Sequence, residues 1–184
     1  MHNTVAAATI PEAFVRLVAM DRSVPRMDAA ESRAWLALVS TAELLPAALD
    51  AQLQADSQLT HFEFIALTVL KDAEHNTLRM KELAAATNAT LPRLSKVATR
   101  LESRGLVERQ ARSDDGRAID VRLTTAGRRA LVLATPGHIE TVRRLVIDHL
   151  APEQLDALAD ALEPLVQRLD PQARWGPKRI SGRR

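Results

Sequence analysis

Cysteine is absent from this chain of 184 residues, which removes disulfides, thiolate metal sites, cysteine nucleophiles and thiol redox sensing together. Aromatic side chains are nearly as scarce, with three Phe and two Trp, so the interior is left to aliphatic residues, chiefly Leu and Ala. With 46% hydrophobic and 26% charged residues, the composition describes a compact, mainly helical domain around one substantial core. No apolar run approaches the roughly 20 residues that cross a bilayer. The N-terminus has no basic stretch leading into an apolar block and a cleavage site, so a cytoplasmic chain without a membrane partner is expected. Nucleophile elbow, phosphate loop and HExxH are all missing, and Glu12, Glu43 and Glu63 make no paired-carboxylate constellation. No catalytic residue, cofactor or metal ligand is assigned, and the chain is not read as an enzyme.

What is present is a segregated charge. Residues 1–76 carry five basic and ten acidic side chains, a balance of −5, whereas residues 77–130 carry twelve and six, a balance of +6. Residues 131–171 return to −4, and residues 172–184 hold five basic side chains and no acidic one. The formal net charge of +2 therefore conceals one strongly basic block inside an acidic chain. Phosphates respond to local charge within a Debye length of about 8–10 Å, so that block is where a nucleic-acid surface is sought.

Within it, Met80 to Thr87 reads as a short helix with Leu83 and Ala84 inward, and Asn88-Ala89 as a turn. Thr90 caps a second helix whose buried stripe is Leu94, Val97, Ala98 and Leu101. Pro92, Arg93, Ser95, Lys96, Thr99 and Arg100 are left to face outward or sideways, a set of hydroxyls and cations suited to base edges and phosphates of a major groove. Pro92 is tolerated because it falls in the first turn. Gly105 ends that helix. Leu106 to Gln110 and Ala118 to Leu123 read as two strands of a hairpin, whose tip carries Arg112 and Arg117 within reach of phosphates or a minor groove. Asp114 and Asp115 would repel DNA unless paired, so one of them is expected to orient Arg117.

The flanks read as helices. Residues 1–27 form an N-terminal extension with a short amphipathic helix over Ile10 to Met20. From Asp28 to Ser57, Trp35, Leu38, Ala42, Leu45 and Leu49 recur at helical spacing as an apolar seam, which Pro46 is expected to kink or interrupt. Thr60 and Glu63 form a capping box that opens a helix running to Asp72, with Phe62, Ile65, Ala66, Val69 and Leu70 as its buried stripe. Thr125 to Leu150 and Pro152 to Leu169 complete the set, the first bent at Pro136-Gly137 and the second at Pro164. Their leucine seams fit either a second subunit or a monomeric bundle that closes on itself. His138 and His149 stand eleven residues apart and share a face if their helix continues, where packing competes with metal or ligand contact. The basic tail, 172–184, is expected to be mobile.

These motifs resemble the MarR family of winged helix-turn-helix regulators over Ser32 to Leu169. The resemblance is most specific in Arg104-Gly105-Leu106-Val107-Glu108-Arg109, Asp115-Gly116-Arg117 and Leu123-Thr124-Thr125-Ala126-Gly127. Leu59-Thr60, Pro136-Gly137-His138 and Asp148 to Gln154 resemble a subgroup associated with actinobacteria. The resemblance implies a mainly α fold with an α+β wing, winged helix-turn-helix with long N- and C-terminal dimerisation helices. Residues 28–58 and 128–171 would form the dimerisation region, and 59–127 the DNA-binding domain. It implies a homodimer on double-stranded DNA at a pseudo-palindromic operator, usually repressing, and released by a small aromatic or phenolic effector. Thr90 to Arg104 would be the recognition helix, Arg117 the wing arginine and Asp115 its orienting carboxylate. Trp35, His61, Phe62 and Phe64 would lie near the family's effector cleft, with core packing the competing role for Trp35. Ser113, where the family often has Pro, and Pro92-Arg93 depart from the pattern. An architectural DNA-binding protein without an effector is the alternative, and a winged domain used as a protein-interaction scaffold is a further one.

Overall fold

The computed structural model describes residues 26–111 and 118–176. Six helices and three strands follow in the order α1 (Ala29–Ser57), α2 (His61–Asp72), β1 (Thr77–Arg79), α3 (Met80–Ala86), α4 (Leu91–Ser103), β2 (Val107–Ala111), β3 (Ile119–Leu123), α5 (Thr125–Leu145) and α6 (Pro152–Leu169). This is the expected mainly helical architecture with a small sheet. The chain forms two compact units, Met1–Leu44 and Leu45–Arg184, whose boundary falls inside α1. The short helix expected over Ile10 to Met20 lies outside the described residues.

α1 is assigned as one helix through Pro46, so the proline does not interrupt it. Its 29 residues have a mean hydropathy of 1.3 over their most apolar stretch, enough by length and composition to cross a membrane. The expectation that nothing here reaches spanning length thus holds for uninterrupted apolar runs and fails for the average. Glu43 and Asp50 break up the stretch, and Leu49 and Leu53 are buried in the second unit's core.

In the second unit, α2 begins as the capping rule requires. The Thr60 hydroxyl accepts the Glu63 N–H at 3.0 Å, and the Glu63 carboxylate accepts the Thr60 N–H at 2.7 Å, satisfying two of the donors a helix start leaves unpaired. The inward face is broader than the expected stripe. Glu63, Phe64, Ala66, Leu67, Val69 and Leu70 are buried, while Phe62 and Ile65 are only partly so. Glu63 is drawn inward by its cap to Thr60 and its pairing with Arg100, a requirement the apolar stripe does not encode.

α3 and α4 pack through Leu83, Ala84, Leu94, Val97, Ala98 and Leu101, all buried, as the sequence stripe anticipates. Asn88 adopts φ 49° in the turn between them, a left-handed conformation that Asn tolerates better than most residues. Gly105, at φ 69°, ends α4 where a side chain would be strained.

The sheet is antiparallel in the order β1-β3-β2. Val121 pairs with Leu78 on one side and Arg109 on the other, and Val107, Val121 and Leu123 turn inward. β2 and β3 each begin one residue later than expected. β1 was not anticipated at all, because three residues are too few to show an alternation, and His75 and Asn76 before it both take positive φ.

After β3, Thr124 caps α5 by accepting the Gly127 N–H at 3.0 Å while its own hydroxyl donates to the Gly105 carbonyl at 2.7 Å. A Cβ on Gly127 would stand 2.0 Å from the Leu106 carbonyl oxygen, so this junction needs glycine for space rather than for conformation. α5 runs unbroken through Pro136 but stops at Leu145, short of the expected Leu150. Val146 leaves the helical region, a 3₁₀ turn spans Ile147–His149, and Pro152 holds Ala151 extended before α6. His138 and His149 therefore do not share a helix. Of the basic tail, residues 172–176 are described, and the Gly176 N–H donates to the Ala86 carbonyl at the end of α3 at 2.7 Å; the rest lies outside the described residues.

Candidate nucleic-acid interface

α4 carries the candidate reading surface. Its buried stripe holds it against the core, and Pro92, Arg93, Ser95, Lys96, Thr99 and Arg100 are all exposed. Thr90 caps it, accepting the Arg93 N–H at 3.4 Å. The Thr99 hydroxyl donates to the Ser95 carbonyl at 3.0 Å, which commits its proton to the helix and leaves its lone pairs outward. A threonine in that state is an acceptor, suited to amino groups on base edges.

The cations divide into two sets that the sequence did not separate. Lys96 points away from the core, opposite Leu94, Val97 and Leu101 on the helical wheel. Arg93 and Arg100 are seven residues apart and Arg104 lies four further on, so all three fall within about 40° on one flank of α4. That flank meets the start of α2. The Arg93 guanidinium lies over the Phe62 ring, 4.6 Å from its centre. Arg100 donates from Nε to Glu63 Oε1 at 2.7 Å. Arg104 donates from Nη1 to the Gln58 carbonyl at 2.9 Å and stands 3.8 Å from Glu63 Oε2. Glu63 is 1% exposed and is the only ionisable side chain buried among the described residues. Its capping role was legible from Thr60 and Glu63, but its arginine partners lie 37 and 41 residues on, beyond any local pattern.

A second ion pair ties the end of α4 to the wing. Arg109 donates from Nε to Glu102 Oε2 at 2.8 Å, and its backbone N–H reaches Glu102 Oε1 at 3.2 Å. That hydrogen bonding holds the Glu102 carboxyl below its ordinary pKa, against the opposing effect of burial. Arg122 and Glu108 pair across β3 and β2 at 2.5 Å. The wing-tip residues Arg112, Ser113, Asp114, Asp115 and Arg117 lie outside the described residues.

Of the residues assigned to an effector cleft, the three in the second unit face two neighbours. Phe62 faces α4 through Arg93, whereas His61 and Phe64 meet α5. There His138 packs against Phe64 at 4.5 Å and His61 at 5.9 Å between ring centres. Asp50 Oδ1 accepts the backbone N–H of His61 at 2.8 Å. Burial lowers the pKa of both imidazoles; the charge of His61 lowers that of His138 further, and Asp50 partly offsets the shift at His61. His138 is thus a partner of His61 rather than of His149, and its place in this cluster was hidden by a sequence separation of 77. Trp35 belongs to the Met1–Leu44 unit and is about half exposed.

Comparison with known proteins places these features in a family. A family model described as MarR family matches residues 57–118, the span from the end of α1 to the residue before β3. Sco3205, a MarR family transcriptional regulator from Streptomyces coelicolor solved in complex with DNA, is 34% identical. The similarity covers 83% of this chain and 95% of that one, with a TM-score of 0.75. AbsC, a MarR family regulator from the same organism, is also 34% identical, covering 81% and 100% with a TM-score of 0.74. The HTH-type transcriptional repressor YetL of Bacillus subtilis is 31% identical over 111 residues, 60% of this chain. The chain spans just under two-thirds, 66%, of YetL's length. These relatives are regulators of transcription and not enzymes. The chain belongs to the MarR family of transcriptional regulators.

Proposed function

We propose that the protein is a homodimeric repressor that binds a pseudo-palindromic operator through α4 and the wing. The observation that carries this reading is the exposed face of Pro92, Ser95, Lys96 and Thr99 on a helix otherwise seated by four buried apolar residues. Residues 59–127 would bind DNA, with Arg112 and Arg117 adding phosphate or minor-groove contacts and Asp115 aiming Arg117. Residues 28–58 and 128–171 would form the dimer, working in the cytoplasm where the chromosome is. Two-fold symmetry would place the half-sites about one helical turn, 34 Å, apart.

A small aromatic or phenolic acid is the effector class that the half-buried His61 and His138 pair suits, since an imidazole N–H meets a carboxylate or phenol. Selection of genomic fragments by the purified protein, with and without such acids, tests both parts. A discrete protected palindrome whose affinity falls steeply with salt is the expected result. Extended, sequence-independent protection would instead establish an architectural role, and no binding at low salt would sink the regulator reading.

A further inference from the structure

We propose that Glu63 is a positioning residue for the reading helix. On this proposal its buried carboxylate, through Arg100 and Arg104, fixes how α4 presents Ser95 and Thr99 to bases and Lys96 to phosphate. The proposal rests on the DNA-binding reading above and goes beyond it by separating residues that read from residues that hold.

Three observations converge. First, a capping box explains only one side of Glu63. Oε2 accepts the Thr60 N–H at 2.7 Å, while Oε1 takes Arg100 Nε at 2.7 Å, and a helix start has no need of that second partner. Second, the acid is buried although its arginines are not, Arg100 being 51% and Arg104 33% exposed. A carboxylate is costly to bury unless it is paired and hydrogen-bonded, so the arginines are drawn to the acid and their geometry is set from inside the core. Third, Arg93, Arg100 and Arg104 form one flank of α4, spanning about 16 Å of its axis. Each is held by the stretch from Gln58 to Glu63, through a carbonyl, a ring or a carboxylate. A helix gripped at its start, middle and end along one edge cannot roll. The roll angle decides which side chains meet the floor of a groove, and an error of about 1 Å there is enough to break a bidentate base contact.

The prediction is therefore about discrimination rather than affinity. Glu63→Gln retains an oxygen for the Thr60 N–H but turns an amide toward Arg100. Arg100→Gln places its Nε2 at the same bond distance from the backbone as the Nε it replaces, so it keeps a donor for Glu63 while losing the charge. Arg100→Ala loses both. Full-length variants would be titrated against the selected operator duplex and a scrambled duplex of equal length, with helical content checked by circular dichroism.

We expect Glu63→Gln and Arg100→Ala to lower the operator-to-scrambled affinity ratio about tenfold. Arg100→Gln should weaken binding to both duplexes several-fold and keep the ratio within about threefold of the parent protein. A Glu63→Gln variant that folds and keeps the parent ratio would overturn the proposal. So would Arg100→Gln losing the ratio as fully as Arg100→Ala, because the guanidinium would then itself be reading DNA. If Glu63→Gln does not fold, the two Arg100 variants decide the matter. Failure of the parent protein to bind either duplex at low salt would remove the regulator reading together with this one, an outcome distinct from intact binding with unchanged discrimination.

Discussion

Lys96 and Thr99 show how much a single side chain's surroundings decide its role. Lys96 lies one turn from Arg93 and Arg100 and Thr99 is next to Arg100, yet the arginines are occupied by α2 and Lys96 faces outward. An uncommitted ammonium beside DNA acts through phosphate neutralisation, and each neutralised phosphate adds about 0.9 to the slope of log affinity against log salt. Lys96→Ala is expected to weaken operator binding about tenfold and to lower that slope by about one, with unchanged thermal stability; fluorescence anisotropy at several salt concentrations reads both. Thr99→Val keeps the shape and removes the outward acceptor. It should relax base preference at one operator position, read by competition among operator variants, while leaving the salt slope as it was.

At the scale of elements, the junction of wing and α5 is held by close approach. The Thr124 hydroxyl caps α5 and reaches back to Gly105, and Gly127 passes so near Leu106 that no Cβ fits. Gly127→Ala is expected to cost about 2 kcal/mol or more, since crowding of this kind typically costs 1–3 kcal/mol and here the obstacle is backbone. Thermal denaturation should show a midpoint lower by several degrees. The His61, Phe64 and His138 contact makes a different prediction. Both imidazoles titrate below the ordinary value of 6.5 in the fold, so the unfolded chain takes up protons first as pH falls. Their contribution is present above pH 6.5 and is lost as pH drops through the folded values. The melting midpoint should therefore decline between pH 7.5 and 5.5, and His138→Phe should flatten the decline.

The same scale shows what the sequence could disclose. The helices around Leu83, Leu94 and Leu101 and the cap at Thr60 were legible because each is encoded within a few residues. β1 was too short for a pattern, and the end of α5 at Leu145 was masked by apolar residues that continue through Val146, Ile147 and Leu150. For the site, the exposed face of α4 followed from the wheel. Its division into reading and held residues did not, because Glu63 and Phe62 reach their arginines across more than thirty residues of chain.

For the whole molecule, the apolar side chains left outside the core matter most. α6 has no buried residue, and Leu158, Leu165, Val166 and Leu169 are each at least 40% exposed. A lone chain with such a face is a poor solution in water, and the homodimer proposed above would cover it. Leu158→Asp with Leu165→Asp is expected to convert a two-chain species into a one-chain species in analytical ultracentrifugation, with operator binding lost at concentrations where the parent protein binds fully. Since α2 to α5 keep their own core, far-ultraviolet circular dichroism should fall only partly.

That uncovered α6 has a consequence for how the cell would hear this protein. If assembly must precede operator binding, then at low abundance the amount of competent species rises with the square of chain concentration. Halving synthesis would cut occupancy about fourfold rather than twofold. The leucines of the last helix would then act as a counting device, turning a gradual change in expression into a threshold before any effector arrives.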